Sequence, residues 1–351
     1  MGHAIALIFS ALAVSTAAAA AAPSQIRVES FSGNGEAGFA DTSGQVGQFN
    51  RPHGLAIDGK GNVYVSDRGN HAIRVVASNG DILTLAGNGK EGSTDGVGPA
   101  ASFKQPIAVV VDKSANVYVA DRDNHVIRLI DSARKVVTLA GTGTKGFVNG
   151  PTSAAQFNEP YGVALSPDEK TLYAADYLNH AIRAIDLASK QVSTLAGNGV
   201  AGFANGVADK AQFNQPYNVK ADRNGRLYVP DQNNHVIRRV DLDGTVSTVA
   251  GNGQSGFADG KPSEARFNNP TGLAIAPDGT IYVADRNNHR IRAILPAGEV
   301  ITVAGDGTAG QQDGPAQTAK FNRPIDIVLA KDGSLVVSEE NNHRLRKILL
   351  D

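Results

Sequence analysis

Residues 49–76 read FNRPHGLAIDGKGNVYVSDRGNHAIRVV, and close variants of this stretch return five more times along the 351-residue chain. Every copy opens on FNxP or, once, on FKQP. The copies begin at Phe49, Phe103, Phe157, Phe213, Phe267 and Phe321, which places successive starts 54 or 56 residues apart. A fixed period of this length is the sequence signature of a repeat architecture.

Short apolar runs alternate with turns inside each copy. In the first copy, GLAID, VYVSD and HAIRVV are separated by GKGN and RGN, and ILTLAG follows after ASNGD. Aliphatic and β-branched runs between Gly, Asn and Asp turns predict four antiparallel strands per copy, and no segment shows convincing helical periodicity. Six such units predict a β-propeller, in which each sheet packs against its neighbours around a central axis.

The two ends of the chain look like the halves of one unit. The copy that begins at Phe321 stops at Asp351, after its third strand, and residues 26–48 align with residues 192–212, the fourth strand and connector of another copy. We therefore expect an all-β, six-bladed β-propeller with four antiparallel strands per blade, in which the N-terminal strand completes the sixth blade. Residues 23–351 would form this single domain.

The first 22 residues differ in composition from the rest. An apolar stretch from Ala4 to Val14 precedes a run of alanines that ends near Ala22, as in a secretory signal with a small-residue cleavage site. We predict that residues 1–22 are a cleaved signal peptide, that the protein is periplasmic or extracellular, and that no stable membrane span remains. The alternative is an uncleaved anchor, although a spanning helix needs about 20 apolar residues.

Charge and cysteine content exclude several classes of partner and site. The formal net charge is −1, from 33 basic and 34 acidic side chains, so no general positive field attracts nucleic acid or an anionic membrane. The chain has no cysteine, which excludes disulfides and thiolate zinc sites. We expect a monomer that binds a protein, peptide or small-molecule ligand and does not bind nucleic acid.

The string D-x-x-N-H-x-[IL]-R follows the second strand of every copy, with Glu in place of Asp in the last. The copies are Asp67/Asn70/His71/Arg74, Asp121/Asn124/His125/Arg128, Asp176/Asn179/His180/Arg183, Asp231/Asn234/His235/Arg238, Asp285/Asn288/His289/Arg292 and Glu339/Asn342/His343/Arg346. This string resembles the repeat of the NHL family, whose members form six-bladed propellers. The resemblance covers essentially the whole chain after residue 22.

Repeated histidines suggest metal ligation, but a structural role explains them better. Equivalent residues of a cyclic array lie far apart unless they line the axis, and this string lies between the second and third strands. We expect its asparagine to take a left-handed turn conformation, its aspartate to accept turn N–H bonds and its arginine to pair with a carboxylate. The glycine-rich connectors are likewise interpreted as ordered top-face loops rather than phosphate or calcium sites.

Function is expected where the copies differ, first at the start of each innermost strand. The residues after the anchoring proline are His53, Ile107, Tyr161, Tyr217, Thr271 and Ile325, and the next ones are Gly54, Ala108, Gly162, Asn218, Gly272 and Asp326. His53 and Asp326 belong to neighbouring blades of a closed ring. They would form a general-base pair, the beginning of a metal site, or a hydrogen-bonded pair that closes the ring. Asn218 is a candidate ligand contact, as are the two tyrosines, which alternatively pack.

The second variable place is the residue after the acid of the repeated string. The residues there are Arg68, Arg122, Tyr177, Gln232, Arg286 and Glu340. Three arginines at one mouth of the channel favour an anionic or carboxylate-bearing partner. The alternative is an ordinary solvated surface.

These features favour an exported binding module that presents the channel mouth and the top-face loops to a protein, peptide or small ligand. RNA binding is also known among the animal ubiquitin-ligase members of the NHL family. It ranks last for this chain, because the charge is balanced and few aromatic side chains are available for stacking.

The alternative function is a metal-assisted lyase or a lactonase-like hydrolase. The chain is similar to the amidating lyases and gluconolactonase-like propellers, which use a divalent metal in the channel, and RPHGLAID resembles the lyase segment with a zinc-binding histidine. That resemblance implies His53 as a ligand, although the other blades offer no matching histidine. A channel cation such as calcium or zinc, held by His53, Asn218 and Asp326, is the remaining metal hypothesis. His53 and Asp326 are the catalytic candidates.

Overall fold

A computed structural model of the chain describes residues 26–42 and 46–350. The predicted signal peptide, residues 1–22, lies outside the described residues. The described chain forms six antiparallel sheets of four or five strands, so the predicted all-β, six-bladed propeller is confirmed. Its helical elements are three-residue 3-10 turns, and none of the helices described is long and apolar enough to cross a membrane.

Each blade has four main strands, which are named from the innermost outward. Blade 1 consists of Pro52–Ile57, Val63–Asp67, Ala72–Val76 and Ile82–Ala86. Blade 2 consists of Pro106–Val111, Val117–Asp121, Val126–Ile130 and Lys135–Ala140. Blade 3 consists of Pro160–Leu165, Thr171–Asp176, Ala181–Asp186 and Gln191–Ala196. Blade 4 consists of Lys220–Ala221, Leu227–Asp231, Val236–Val240 and Thr245–Ala250.

The last two blades complete the ring. Blade 5 consists of Pro270–Ile275, Ile281–Asp285, Arg290–Ile294 and Val300–Ala304, and blade 6 of Pro324–Leu329, Leu335–Glu339, Arg344–Leu349 and Arg27–Ser32. Short outer strands extend blades 2, 3, 4 and 6; they are Gly96–Val97, Gly150–Pro151, Gly206–Val207 and Gly314–Pro315.

The ring closes through the N-terminal strand, as predicted. Arg27–Ser32 pairs antiparallel with Arg344–Leu349, from Arg27 opposite Leu349 to Ser32 opposite Leu345. Val28 of this strand is fully buried. Because the first and last strands of the described chain share one sheet, blade 6 contains both ends and joins them by a backbone hydrogen-bond ladder.

The apolar core lies between blades rather than inside one. The phenylalanine that opens each repeat is fully buried in every blade. The second-strand tyrosine of blade 1, Tyr64, packs with Val109 and Val117 of blade 2, and equivalent clusters fill the other blade interfaces. The inner strands of each sheet are therefore buried on both faces, which explains why they are mostly apolar, whereas the outermost strands are partly exposed.

The repeated string forms a buried ion pair in every blade. In blade 1, the Asp67 carboxylate accepts hydrogen bonds from the Asn50 N–H at 2.8 Å, the Asn70 amide at 2.8 Å and the Arg74 guanidinium at 2.6 Å. Arg74 then reaches Asp41 of the preceding connector at 2.6 Å. The predicted pairing of the arginine with a carboxylate is thus observed, and the backbone N–H that the acid binds is that of Asn50 in the FNRP segment, while its own turn contributes the Asn70 side chain.

The prediction for the asparagine of the string was wrong. The left-handed residue is the histidine, with φ between 50° and 56° in all six blades. The asparagine instead donates to the acid and to a connector carbonyl, as Asn70 does to Asp67 and to Gly38. The left-handed backbone directs the imidazole toward the next blade.

Each repeat histidine fastens its blade to the next one. Its Nδ1 accepts a hydrogen bond of 3.1–3.2 Å from the backbone N–H before the next anchoring proline. The six pairs, each written with the accepting histidine first and the residue of the donating N–H second, are His71–Gln105, His125–Glu159, His180–Gln215, His235–Asn269, His289–Arg323 and His343–Arg51. Nδ1 must be unprotonated to accept, so all six bonds require the neutral imidazole.

These bonds predict a loss of stability on mild acidification. Burial lowers the pKa of His180 and His235 below the usual 6.5. The unfolded chain then binds more protons, so the histidine contribution is complete above about pH 6.5 and is lost as the pH falls below that value, by at most about 1.4 kcal/mol per histidine and pH unit.

The matched variant carries His180→Asn and His235→Asn. Asparagine tolerates left-handed backbone, and its Oδ1 replaces Nδ1 as an acceptor that does not titrate in this range. We expect its free energy of unfolding, from denaturant titrations at pH 7.5 and pH 5, to fall less on acidification than that of the wild type. Burial raises the pKa of Asp176 and Asp231 to about 6, which acts in the opposite sense, and the comparison cancels this effect. Equal pH dependence in the two proteins would refute the role of the imidazoles.

Candidate functional site

The mouth of the channel lies at the N-terminal ends of the innermost strands. The side chains that follow the anchoring prolines point into it and are buried, with exposed fractions of 2% for His53, 8% for Tyr161, 7% for Tyr217 and 1% for Ile325. Asn218 and Asp326, one residue further along, are 4% and 1% exposed. The structure therefore brings the predicted mouth residues together, but as a filled plug.

His53 and Tyr217 form a brace between opposite blades, 1 and 4. The Tyr217 hydroxyl lies 2.7 Å from His53 Nε2, and His53 Nδ1 lies 3.2 Å from the Ile107 carbonyl oxygen. Because Nδ1 must donate to that carbonyl, Nε2 accepts from the tyrosine hydroxyl and the ring is neutral. Burial lowers the pKa of His53 to about 3, so the imidazole stays neutral at ordinary pH.

A second brace crosses the channel below the first. The Asp326 carboxylate of blade 6 accepts from the Asn218 amide at 3.1 Å and from the Leu55 N–H at 2.9 Å. The Lys220 ammonium of blade 4 lies 3.5 Å from the same carboxylate and 3.4 Å from the Leu55 carbonyl oxygen. Burial raises the pKa of Asp326, while the Lys220 charge opposes this. Lys220 was not predicted as a site residue, although it stands where the other blades have alanine or valine.

His53 and Asp326 do not form the pair that sequence position suggested. In the described part of the chain, no hydrogen bond joins the side chains of these two residues. The Ser338 hydroxyl links their backbones instead: it accepts from the Asp326 N–H at 3.1 Å and donates to the His53 carbonyl at 2.5 Å. Both imidazole nitrogens and both Asp326 oxygens already have protein partners. These side chains do not fit a metal ion, and no three His, Asp or Glu residues in the described ranges form a ligand group.

The predicted tyrosine contacts pack against each other. Tyr161 stacks on Tyr177 with ring centroids 4.0 Å apart and meets Tyr217 edge-on at 5.0 Å. Ile107 and Ile325 complete the same apolar cluster. Tyr161 and Tyr217 thus support the floor of the mouth, and Tyr177 is the partly exposed member.

The residues after the repeated acid lie above this floor and bond to each other. Glu340 accepts from Arg68 and from Arg286, each at 2.9 Å. Although burial raises the pKa of the Glu340 carboxyl, interactions with His53, Arg286 and Arg68 lower it to about 2. On the other side of the mouth, Arg122 lies 2.9 Å from Glu159. All three predicted arginines therefore reach the mouth, and each has an acidic partner.

An excess of positive charge remains on the side of the mouth formed by blades 5, 6 and 1. Arg51 and Arg323, which precede the anchoring prolines of blades 1 and 6, are exposed. The charges of Arg323, Arg290 and Arg286 all act on His289, and that of Arg51 acts on His343. We call Arg51, Arg68, Arg286, Arg290 and Arg323 the arginine crescent. Arg51 and Arg323 were not predicted as site residues, although the other four blades have Gln, Glu or Asn at their position in the FNxP segment.

Comparison with known families gives a match along three of the six repeats. The NHL repeat profile matches residues 49–76, 267–294 and 321–348. Suppressor of quenching 1, a chloroplastic protein of Arabidopsis thaliana, is 37% identical over 281 residues, covering 74% of this chain and 26% of that protein. NHL repeat-containing protein 2 of Bos taurus is 30% identical over 338 residues, covering 86% of this chain and 46% of its own length. The chain thus spans less than half the length of these curated relatives.

Solved structures agree on the fold. An auxiliary nutrient binding protein of Bacteroides thetaiotaomicron superposes with a TM-score of 0.73 at 19% identity, over 93% of this chain and 76% of that one. Identity at this level shows a shared fold only. The repeat profile, the named relatives and the six-bladed architecture together identify the chain as a member of the NHL repeat-containing β-propellers.

Proposed function

We propose that this propeller is a binding module. The face around the mouth of the channel, called the top face, holds a protein or peptide partner by contacting the partner's carboxylate groups. The observation that carries the proposal is the arginine crescent, in which Arg68 and Arg286 share the Glu340 carboxylate while Arg51 and Arg323 are exposed without a carboxylate in hydrogen-bond contact among the described residues. Arginine presents several donors in a planar fork that matches a carboxylate. Arg51 and Arg323, the exposed members, are the first contacts that we assign to a partner.

The fixed geometry of the mouth supports this role. Arg68 and Arg286 are both held by Glu340, and the plug of His53, Tyr217 and Tyr161 beneath them is almost fully buried. A surface that is already ordered loses little conformational entropy on binding, so more of the contact energy appears as affinity. The mouth therefore serves as a rigid platform.

Charge is distributed unevenly around this platform. Beyond the crescent, the half formed by blades 2 and 3 carries Asp123 and Glu159 beside Arg122. A partner with an acidic segment would thus be oriented toward blades 5, 6 and 1. This asymmetry favours an extended acidic peptide or protein loop over a small neutral molecule.

The metal-assisted hydrolase or lyase has weaker support. A general base needs access to its substrate, whereas His53 is 2% exposed and bonded through both nitrogens. Export by the segment at residues 1–22 remains part of the proposal, as does the monomeric state.

The test is a binding titration with a fluorescein-labelled, glutamate-rich peptide, followed by fluorescence anisotropy at 50 mM and 500 mM salt. We expect the double variant Arg51→Gln and Arg323→Gln to bind about tenfold more weakly at low salt, since each lost surface charge pair contributes about 0.2–1 kcal/mol. Screening should reduce the difference at high salt.

The matched control is Arg223→Gln with Arg226→Gln, because these two exposed arginines lie at the opposite end of the channel, in the first turn of blade 4. It should bind like the wild type. If the two double variants bind the peptide equally, or if a lysine-rich peptide binds as well as the acidic one, the proposal is wrong.

A further inference from the structure

One position of the second strand breaks a pattern that the other five blades keep. The residue three positions before the acid that ends this strand is Tyr64, Tyr118, Tyr173, Tyr228 or Tyr282 in blades 1 to 5, and Val336 in blade 6. The tyrosine rings pack between their own blade and the next one. Blade 6 therefore lacks a phenol ring at its interface with blade 1.

A cavity lies at that place, at the bottom of the interface between blades 6 and 1. Its volume is about 190 Å³. Apolar side chains form its floor; they are Phe31, Ile57, Val63 and Val336. Val63 and Val336 belong to the buried core of this interface, and Phe31 and Ile57 pack on that core. The cavity therefore has an apolar floor and opens to solvent at the bottom of the interface between blades 6 and 1.

Three lysines stand at the rim of this cavity. They are Lys60 from the first turn of blade 1, Lys331 from the first turn of blade 6, and Lys347. Lys347 lies directly across the strand pair from Val336, where Val75, Leu129, Ala184, Arg239 or Ala293 stands in the other blades. Asp332 is the acidic residue of the lining and is paired with Lys347 at 2.8 Å.

The charge at this interface is the reverse of that in blades 1 and 2. There the tyrosine hydroxyl approaches an aspartate, Tyr64 to Asp58 at 3.5 Å and Tyr118 to Asp112 at 3.4 Å. In blade 6 the aspartate position is occupied by Ala330, and three lysines line the cavity, of which Lys331 also donates to the Gly59 carbonyl. The phenol ring and the aspartate of blades 1 and 2 are therefore both absent from blade 6, in which Phe31 stands where Leu85 and Leu139 stand in those blades.

We infer that this cavity is a binding site for a small aromatic carboxylate. The ring takes the position that a tyrosine ring fills in the other blades, against Phe31 and Ile57. The carboxylate accepts charge-assisted hydrogen bonds from Lys60 and Lys331 at the rim. A ligand of this size fits the volume, which is below the usual range of about 300–1,000 Å³ for drug-sized ligands. This site lies at the end of the channel opposite the arginine crescent and is independent of it.

The probe is phenylacetate, with neutral phenylacetamide as its counterpart, in ligand-observed NMR titrations of the whole protein. We expect saturable binding of phenylacetate and at least about tenfold weaker binding of the amide, since a hydrogen bond to a charged group contributes about 1.5–3 kcal/mol, and 1.4 kcal/mol is tenfold. The Lys60→Gln, Lys331→Gln double variant should reduce the phenylacetate affinity by a similar factor and leave the amide unchanged.

The decisive variant is Val336→Tyr, which restores the ring found in the other five blades. It should fold, as judged by circular dichroism and thermal unfolding, and should lose phenylacetate binding. The control is Tyr282→Val, which removes the corresponding ring between blades 5 and 6, where no group of three lysines stands. This variant should bind phenylacetate only at the site between blades 6 and 1.

Three results would overturn the inference. They are the absence of saturable phenylacetate binding, equal affinity for acid and amide, and unchanged binding in Val336→Tyr. If Val336→Tyr does not fold, the Lys60→Gln, Lys331→Gln double variant tests the inference instead. Unchanged phenylacetate affinity in that variant would contradict the proposed site.

Discussion

Replacing Arg238 with methionine is expected to lower the free energy of unfolding by about 3–5 kcal/mol, the usual effect of removing one partner of a buried ion pair. Arg238 and Asp231 are both fully buried and lie 2.7 Å apart. The same guanidinium donates to the carbonyls of Gln212 at 3.0 Å and Ala204 at 2.8 Å. Methionine fills the space but leaves the Asp231 charge without a cation and both carbonyls without a donor.

The next residue of the same strand supplies a matched control. Arg239 is 38% exposed and is paired with Asp241 at 3.1 Å, so Arg239→Met should cost at most about 1 kcal/mol. Guanidinium chloride unfolding can be followed by circular dichroism and by tyrosine fluorescence, because the chain has eight tyrosines and no tryptophan. Equal midpoints for the two variants would contradict a structural role for the repeated arginine.

Removing the N-terminal strand is expected to have the second large effect. Arg27–Ser32 pairs with Arg344–Leu349, buries Val28 completely and binds the Gly80 carbonyl through the Ser32 hydroxyl at 2.9 Å. Burial of one valine contributes about 1.5–3 kcal/mol, and each backbone hydrogen bond about 1 kcal/mol net. The sum approaches the typical total stability of about 5–15 kcal/mol.

A variant that begins at Gly33 should therefore unfold at much lower denaturant concentration and aggregate through the exposed edge of Arg344–Leu349. A variant that begins at Pro23 keeps the strand and should behave like the full chain. Closure of the ring by this strand is refuted if both variants unfold together.

Counting repeats was sufficient to predict the architecture. The period of the FNxP anchors specifies six blades, and the alignment of residues 26–48 with residues 192–212 specifies how the ring closes. Both inferences rest on local patterns that each blade repeats. The same repetition correctly marks the Asp–Arg pairs as structural.

Contacts that occur once were beyond sequence reasoning. The partners of His53 and Asp326 come from blade 4, through Tyr217, Asn218 and Lys220. A position in the repeat places a residue on the ring, but it does not show how far a side chain reaches across the axis. His53 was predicted as a site residue because no other blade has a histidine at this position. In the structure this single histidine has a single partner across the channel, the Tyr217 hydroxyl.

The turn of the repeated string shows a different kind of error. Asparagine has the stronger general preference for left-handed backbone, yet histidine occupies that position in every blade. The interblade bond from its Nδ1 outweighs the local preference. Departures from the repeat proved more informative when compared position by position, as with Val336 and with Arg51 and Arg323.

The most direct test of the account compares the buried brace with the arginine crescent in one binding assay. The glutamate-rich peptide is titrated into wild type, His53→Gln, and the Arg51→Gln, Arg323→Gln double variant, after circular dichroism has shown that each is folded. We predict that His53→Gln keeps wild-type affinity and that the arginine variant loses about tenfold. Loss of binding in His53→Gln together with full binding in the arginine variant would contradict the account.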